Sequence, residues 1–339
     1  MTGSVWAFSR ALSSIKTRLI SKELANIGVP FSAVRCFSVT QARNMKLVQF
    51  TYNTKPDEVR AGYIEGDDVV DLNKADGSLP LKLVDILKLD CAVERISQIK
   101  AKKPQGVPLS GIRLEAPITN QDKVIGVGLN YLDHCKEQNL TPPEVPMIFS
   151  KFSSAIIGPN DAVKLRTEIT QSVDWEVELA VVIGKECTMI DAKDAYNYVL
   201  GYTVAQDISA RDWQKKKNSG QFILGKSMDT FCPIGPWIVT ADEIKDPQCL
   251  DIKCTLNGVV KQNSNTCQLI HKIPDVIARL ASVMTLYPGD IILSGTPGGV
   301  GMHRNPPEFL KPGDKLISEI QSIGTLETRV VKFDQCGCK

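Results

Sequence analysis

The sequence predicts an α+β fold that is mainly β. Short apolar stretches punctuated by Gly and Pro dominate from residue 120 onward, helical spacing is confined to a few segments, and strands do not alternate regularly with helices. That last feature argues against a doubly wound parallel sheet. The chain has 339 residues, enough for two domains or one large domain with an extension. Its apolar fraction of 43% is ordinary, and a core of this size needs no disulfide or metal staple.

Residues 46–53 read as a strand, and Gly66-Asp67 between two short apolar runs in 61–72 reads as a hairpin. Leu83, Ile86, Leu87, Val93 and Ile96 suggest an amphipathic helix over 82–101, ended by the break at 102–106. These elements make a small α+β domain at 45–118, with a larger domain at 119–335. In the larger domain, strands are expected at 123–128, 147–152, 173–184, 201–208, 231–240, 250–256, 289–295 and 313–333. Helices are expected at 130–138, 191–199, 209–217 and 273–286.

Residues 1–44 hold six basic residues against the single acid Glu23, with helical apolar spacing at Trp6, Leu12, Ile15 and Leu19. That pattern matches a mitochondrial transit segment, with Arg35-Cys36-Phe37-Ser38 as a processing site; a flexible basic tail is the alternative. The remainder carries 34 basic and 37 acidic residues, which gives no reason to expect nucleic acid or an anionic membrane as partner. No stretch approaches the roughly 18 apolar residues of a membrane helix. The ten cysteines include no C-x-x-C pair and are expected as free thiols.

The strongest chemical signal is Asp174-Trp175-Glu176-Val177-Glu178-Leu179. In a strand, Asp174, Glu176 and Glu178 share one face, and the apolar run to Ile183 marks an interior strand. Carboxylates buried together need a proton, an arginine or a cation. Were it a cation, oxygen donors would select Mg²⁺, Mn²⁺ or Ca²⁺ over zinc. A second apolar strand ends in Asp207, a third ligand or a helix cap. Arg211 suits capture of a substrate carboxylate or a salt bridge to a neighbouring acid. His134 and Glu137, three apart on a helix, make an oriented general acid/base or a surface ion pair. Cys135 faces elsewhere, and His271 and His303 have no obvious partners.

Two patterns are decoys. Gly220 to Ser227 satisfies the P-loop spacing, but Lys215-Lys216-Lys217-Asn218 precedes it in place of a buried strand. Gly126-Val127-Gly128 has Tyr131 where a third Rossmann glycine belongs.

In order along the chain, Val127-Gly128-Leu129-Asn130-Tyr131 with His134 and Glu137, Trp175-Glu176-Val177-Glu178-Leu179, Asp207-Ile208-Ser209-Ala210-Arg211-Asp212, Gly225-Lys226-Ser227 and Gly295-Thr296-Pro297-Gly298-Gly299-Val300-Gly301 resemble the fumarylacetoacetate hydrolase family, in particular its mitochondrial branch. The resemblance covers roughly 45–333. It implies a mixed β-sandwich roll behind a smaller N-terminal domain, and usually a homodimer. It implies Mg²⁺ or Mn²⁺ on Glu176, Glu178 and Asp207, with Asp174 in the outer shell. His134, Glu137 and Lys226 are the implied catalytic residues, with His134 and Glu137 on a lid helix, and Arg211, Gln214 and Thr296 the implied substrate contacts. Gln206 stands where relatives often have Asn.

The chemistry so implied acts on a small 2-oxo acid whose keto oxygen is polarised. Proton return gives tautomerisation, loss of CO₂ decarboxylation, and water attack C–C hydrolysis. Oxaloacetate keto–enol tautomerisation in the mitochondrial matrix is the expectation. Acylpyruvate hydrolysis, oxaloacetate decarboxylation and a non-catalytic metal-binding protein are the alternatives.

Overall fold

The computed structural model describes residues 44–334, so the transit segment expected at 1–44, Asn44 apart, and its processing site lie outside the described residues. The N-terminal strands are β1 (Lys46–Tyr52), β2 (Lys55–Glu65), β3 (Asp68–Asp71), β4 (Val107–Pro108) and β5 (Ile112–Glu115). The hairpin β2–β3 turns at Gly66, whose φ of 60° suits a residue without Cβ. β1 pairs with β2 on one side and with a strand from residues 232–240 on the other, so the N-terminal strands extend the sheet of the larger segment.

That sheet contains β6 (Val124–Gly128), β7 (Met147–Lys151), β8 (Ile156–Ile157), β11 (Val177–Ile183), β12 (Val199–Gln206), β14 (Cys232–Thr240) and β17 (Ile291–Leu293). Twelve strands join in it, and its main path runs β4-β3-β2-β1-β14-β12-β11-β17-β6-β7. A five-stranded sheet holds β9 (Ala162–Leu165), β15 (Asp251–Leu256), β16 (Val259–Asn265), β18 (Lys315–Ile320) and β19 (Gly324–Lys332). The short strands β10 (Val173–Asp174) and β13 (Ser209–Ala210) pair with each other.

All seven residues of β11 are buried. Val177, Leu179, Val181 and Ile183 join the core shared with Ile252, Leu316 and Leu326 of the five-stranded sheet. Ala180 and Val182 join the core beneath the N-terminal helices, with Leu83, Ile86 and Ile96. Burial on both faces explains the near-continuous apolar sequence, each Val or Leu contributing about 1.5–3 kcal/mol. Mainly β architecture and two packed sheets are as the sequence predicts.

Several local expectations change. The helix expected over 82–101 is two, α1 (Leu83–Leu87) and α2 (Ala92–Ala101), broken where Cys91 takes a left-handed φ of 52°. Both halves bury their own apolar patch, so neither needs the Lys88–Asp90 stretch as helix. The segment expected as helix at 209–217 starts as strand, because Ser209 and Ala210 pair with Asp174 and Val173, and only then forms a π-helical turn, Trp213–Lys217. The segment at 191–199 is a 3₁₀ run, Ala192–Tyr198, which buries only Ala195. Strands β9 and β16 were not legible, and 313–333 is a hairpin of β18 and β19. Six of the described cysteines are free thiols as expected, whereas Cys91 is disulfide-bonded. No helix among the described residues is long and apolar enough to cross a membrane.

Candidate active site and metal centre

The antiparallel ladder of β11 and β12 pairs Val177 with Gln206 and Glu178 with Ala205. One step further, Asp207 donates its backbone N–H to the Glu176 carbonyl at 2.8 Å. Glu176 and Glu178, two apart on one strand, therefore share a face with Asp207 from the next. Carboxylate oxygens of the three lie within 4.8 Å of one another. All three residues are buried.

The surrounding charges nearly balance. Lys226 Nζ contacts Glu176 Oε2 at 2.6 Å and Asp207 Oδ2 at 2.5 Å. Lys151 Nζ caps Asp207 Oδ1 at 2.7 Å and donates to the Ile208 carbonyl at 3.1 Å. Arg211 meets Glu176 Oε1 at 2.7 Å and Asp174 Oδ2 at 2.8 Å, and donates to Gln214 Oε1 at 3.0 Å. Asp174 in turn accepts the N–H groups of Gly301 at 2.7 Å and Met302 at 3.0 Å. Four buried acids face three cations, and among the described residues Glu178 has no cation paired to it. Its polar partner is the Gly295 N–H at 2.6 Å.

Burial opposes ionisation of Glu176, but Lys226 and Arg211 overcome it and hold the carboxyl well below the ordinary range. Burial, then the charges of Asp207 and Glu176, push Glu178 well above it. Lys226 stays firmly cationic, because Asp207 and Glu176 outweigh the cost of its burial. Three convergent oxygen donors, one of them a carboxyl with no cation paired to it, suit a hard divalent cation, so the residues fit the implied metal.

With Asp207 behind them, Glu176, Glu178 and Lys226 line a cavity of about 240 Å³, smaller than the ~300–1,000 Å³ of sites for drug-sized ligands. His134 lies on its wall, on helix α3 (Leu132–Glu137). His134 Nδ1 is 3.0 Å from Glu137 Oε2, and Glu137 Oε1 accepts the Gly299 N–H at 2.9 Å. The side-chain nitrogen of Gln138 lies 2.9 Å from His134 Nε2. This network fits the tautomer with the proton on Nδ1 and the Nε2 lone pair free to accept. Burial opposes ionisation of Glu137, but the His134 contact and the Gly299 N–H hold it below its ordinary range.

The loop at 295–301 ties these parts together. Gly295 has a φ of +107°, and a Cβ there would meet the Asn130 Cβ at 2.8 Å. Thr296 lines the cavity; its hydroxyl donates to the Val177 carbonyl at 3.0 Å and accepts from Gln262 at 2.8 Å. Gln206 accepts the Glu176 N–H at 2.9 Å and donates to Ser318 at 2.8 Å, supporting a cluster residue from the second sheet.

Every residue singled out in the sequence converges here: Glu176, Glu178, Asp207, Lys226, His134, Glu137, Arg211, Gln214 and Thr296. Arg211 takes the salt-bridge alternative, its guanidinium held by Asp174 and Glu176. Cys135 is buried, and burial raises its thiol pKa, so it is no activated nucleophile. The P-loop decoy forms only the short helix α4 (Ile223–Lys226), which delivers Lys226 to the carboxylates. Sequence reasoning missed Lys151, Gln138, Gln262 and the cavity position of His303. Lys151 lies within the strand expected at 147–152 and ends the observed one, and a lone lysine in an apolar strand is the available signal.

A family model described as fumarylacetoacetate (FAA) hydrolase C-terminal matches residues 123–331. The chain is 50% identical over 292 residues to a Rattus norvegicus protein named oxaloacetate tautomerase Fahd2a, mitochondrial, covering 85% of this chain and 92% of the relative. It is 44% identical over 318 residues to the Xenopus laevis oxaloacetate tautomerase fahd2, mitochondrial, covering 93% and 99%. Among solved structures, maleylpyruvate hydrolase from Sphingobium sp. SYK-6, in complex with manganese(II) and pyruvate, is similar with a TM-score of 0.71 at 33% identity, covering 86% of this chain and all of that one. Two sheets joined around one carboxylate cluster, and matches spanning nearly the whole chain, lead to one conclusion: the chain belongs to the fumarylacetoacetate hydrolase family.

Proposed function

We propose that this chain is a divalent-metal-dependent oxaloacetate tautomerase that converts the enol to the keto form. The observation that carries it is the closure of Glu176, Glu178 and Asp207 within 4.8 Å beneath a cavity that His134 also lines. The choice among outcomes is supported by relatives at 44% and 50% identity that bear the tautomerase name.

Glu176, Glu178 and Asp207 are the residues that would hold the ion, Mg²⁺ by preference and Mn²⁺ or Ca²⁺ otherwise; when bound it supplies Lewis acidity toward the oxygens of a 2-oxo acid. Tautomerisation removes a proton from the C2 hydroxyl and delivers one to C3. His134 Nε2 takes the C2 hydroxyl proton and, as the imidazolium, delivers it to C3, while Glu137 keeps the ring oriented by accepting from Nδ1. Lys226 Nζ meets negative charge developing on the C2 oxygen. Thr296 and Gln214 line the cavity and orient the substrate; Arg211 does so by holding Glu176 and Gln214 in place. Leu140, Met147, Phe149 and Phe222 keep bulk water from the reacting carbons.

Stopped-flow ultraviolet absorbance of enol-oxaloacetate tests this, with wild type and Glu176→Ala in the presence and absence of Mg²⁺. Metal-dependent acceleration by the wild type alone is expected; its absence ends the reading. Hydrolysis of an acylpyruvate is the second reading, favoured by the likeness to maleylpyruvate hydrolase. Stoichiometric acid release from that substrate would promote it.

The same proposal includes a matrix location, a transit segment at 1–44, domains at 45–118 and 119–335, and a homodimer. The mitochondrial names of the relatives support the first two. Exposed Val145, Met147, Ile148 and Phe152 along the edge strand β7 support the dimer, which sedimentation analysis would detect.

A further inference from the structure

The cavity's lysine and arginine side chains and His303 fall into two groups. Lys226 and Arg211 are committed to Glu176, Asp207 and Asp174. Lys215 and His303 also line the cavity, yet among the described residues neither forms an ion pair nor a side-chain hydrogen bond. They come from separate elements, Lys215 from the turn Trp213–Lys217 and His303 from the turn Gly301–His303. Lys215 is exposed and His303 half-buried, its ring edge-on to that of His134 with centroids 6.1 Å apart.

Both feel cations and acids: Lys215 has Arg211 against Glu176 and Asp174, and His303 has Lys215, His134 and Arg211 against Glu137. Burial, then the charge of Arg211, lowers the pKa of Lys215. Burial, then the charge of Lys215, lowers that of His303. An arriving anion would favour the charged form of both side chains. The rest of the wall includes Leu140, Met147, Phe149 and Met302, where an unpaired carboxylate would lose its hydration without compensation.

We propose that Lys215 and His303 form a distal anion subsite that takes the second carboxylate of a 2-oxo dicarboxylate, while its keto-acid end faces Glu176, Glu178 and Asp207. This rests on the 2-oxo acid reading of the site and names what selects the substrate. Arg211 cannot serve the distal carboxylate, because Asp174, Glu176 and Gln214 already hold its guanidinium. Lys215 supplies the charge and His303 an N–H donor. A 2-oxo monocarboxylate leaves both in water, so the pair sets a preference for two carboxylates over one.

The test uses the full chain with Mg²⁺, and compares wild type, Lys215→Met, His303→Phe, the double variant and Lys215→Glu. Calorimetry measures oxaloacetate against pyruvate, which shares the keto-acid end and lacks the distal carboxylate. Wild type should bind oxaloacetate at least about tenfold more tightly, as charge-assisted hydrogen bonds provide. The double variant should lose that preference through weaker oxaloacetate binding, and Lys215→Glu should reverse it. In stopped-flow assays the expected signature is a raised KM for enol-oxaloacetate with kcat little changed. A folded double variant that keeps the preference, or loses affinity for both ligands equally, overturns the subsite. Wild-type tautomerisation without such discrimination removes the subsite and leaves the reaction. Lys215-dependent discrimination in a protein with no tautomerisation does the reverse.

Discussion

The Asp207 N–H donates to the Glu176 carbonyl at 2.8 Å, and this one backbone bond sets the spacing of the metal centre. It places the end of β12 opposite the start of β11, so side chains thirty-one positions apart become cross-strand neighbours. A slip of one residue would turn Asp207 to the opposite face, into the apolar core. Five substitutions, with pH and Mg²⁺ varied, probe the site built on it.

Glu178 is the acid without a cation, so its response to pH differs from that of Glu176. Its folded pKa lies above the unfolded value, so its stabilisation is complete below the unfolded pKa and is lost as pH rises through the folded one. Glu176 has the opposite sign, contributing stability above the ordinary carboxylate range that is lost as pH falls. A divalent ion binds the ionised form of Glu178, so Mg²⁺ should raise Tm more at about pH 8 than at about pH 5. Glu178→Gln should flatten that trend. Scanning calorimetry at several pH values decides it, and a Mg²⁺ effect independent of pH in the wild type contradicts it.

Gly295→Ala should destabilise the protein by about 1–3 kcal/mol and weaken Mg²⁺ binding. The φ of +107° strains any L side chain, and the new Cβ would press on Asn130. Relief requires moving the N–H that Glu178 accepts. Urea denaturation and metal titration check both effects; an unchanged metal affinity would separate the loop from the cluster.

His134→Ala should lower kcat by about 10²–10⁴-fold, as expected for loss of a proton-transfer group. Glu137→Gln should cost less, since it keeps the hydrogen bond but not the negative charge that steadies the imidazolium. Because Glu137 is held below the ordinary carboxylate range, its orienting charge should persist down to about pH 5. Equal kcat in wild type and His134→Ala would remove the imidazole from the mechanism.

Lys151→Met should destabilise the metal-free protein by about 3 kcal/mol, the scale for removing one partner of a buried ion pair. Lys151 has no exposed side-chain surface and does not line the cavity, so it acts through Asp207. Mg²⁺ should recover part of the loss by supplying charge to the same carboxylate. Denaturant titrations with and without Mg²⁺ measure this, and a loss below about 1 kcal/mol would place Asp207 under Lys226 alone.

Much of this site is legible in the sequence. Alternation in Asp174–Leu179 fixes which side chains share a face, and the apolar run after it marks burial on both sides, because strand geometry is a local property of the backbone. The His134–Glu137 pair was readable for the same reason, three residues being nearly one helical turn. The break at Cys91 and the strand at Ser209–Ala210 were not, since partners distant in sequence override local periodicity.

The sequence by itself determined the mainly β class, the inventory of carboxylates and the order of the motifs, all of which follow from local spacing. Only the tertiary structure decided that Arg211 binds Asp174 and Glu176, that Lys151 lies beneath Asp207, and that Lys215 and His303 meet at one cavity. Those pairings depend on sheet register and loop closure over long stretches of chain. Coulomb energy depends on distance in space, which the order of residues along a strand does not specify.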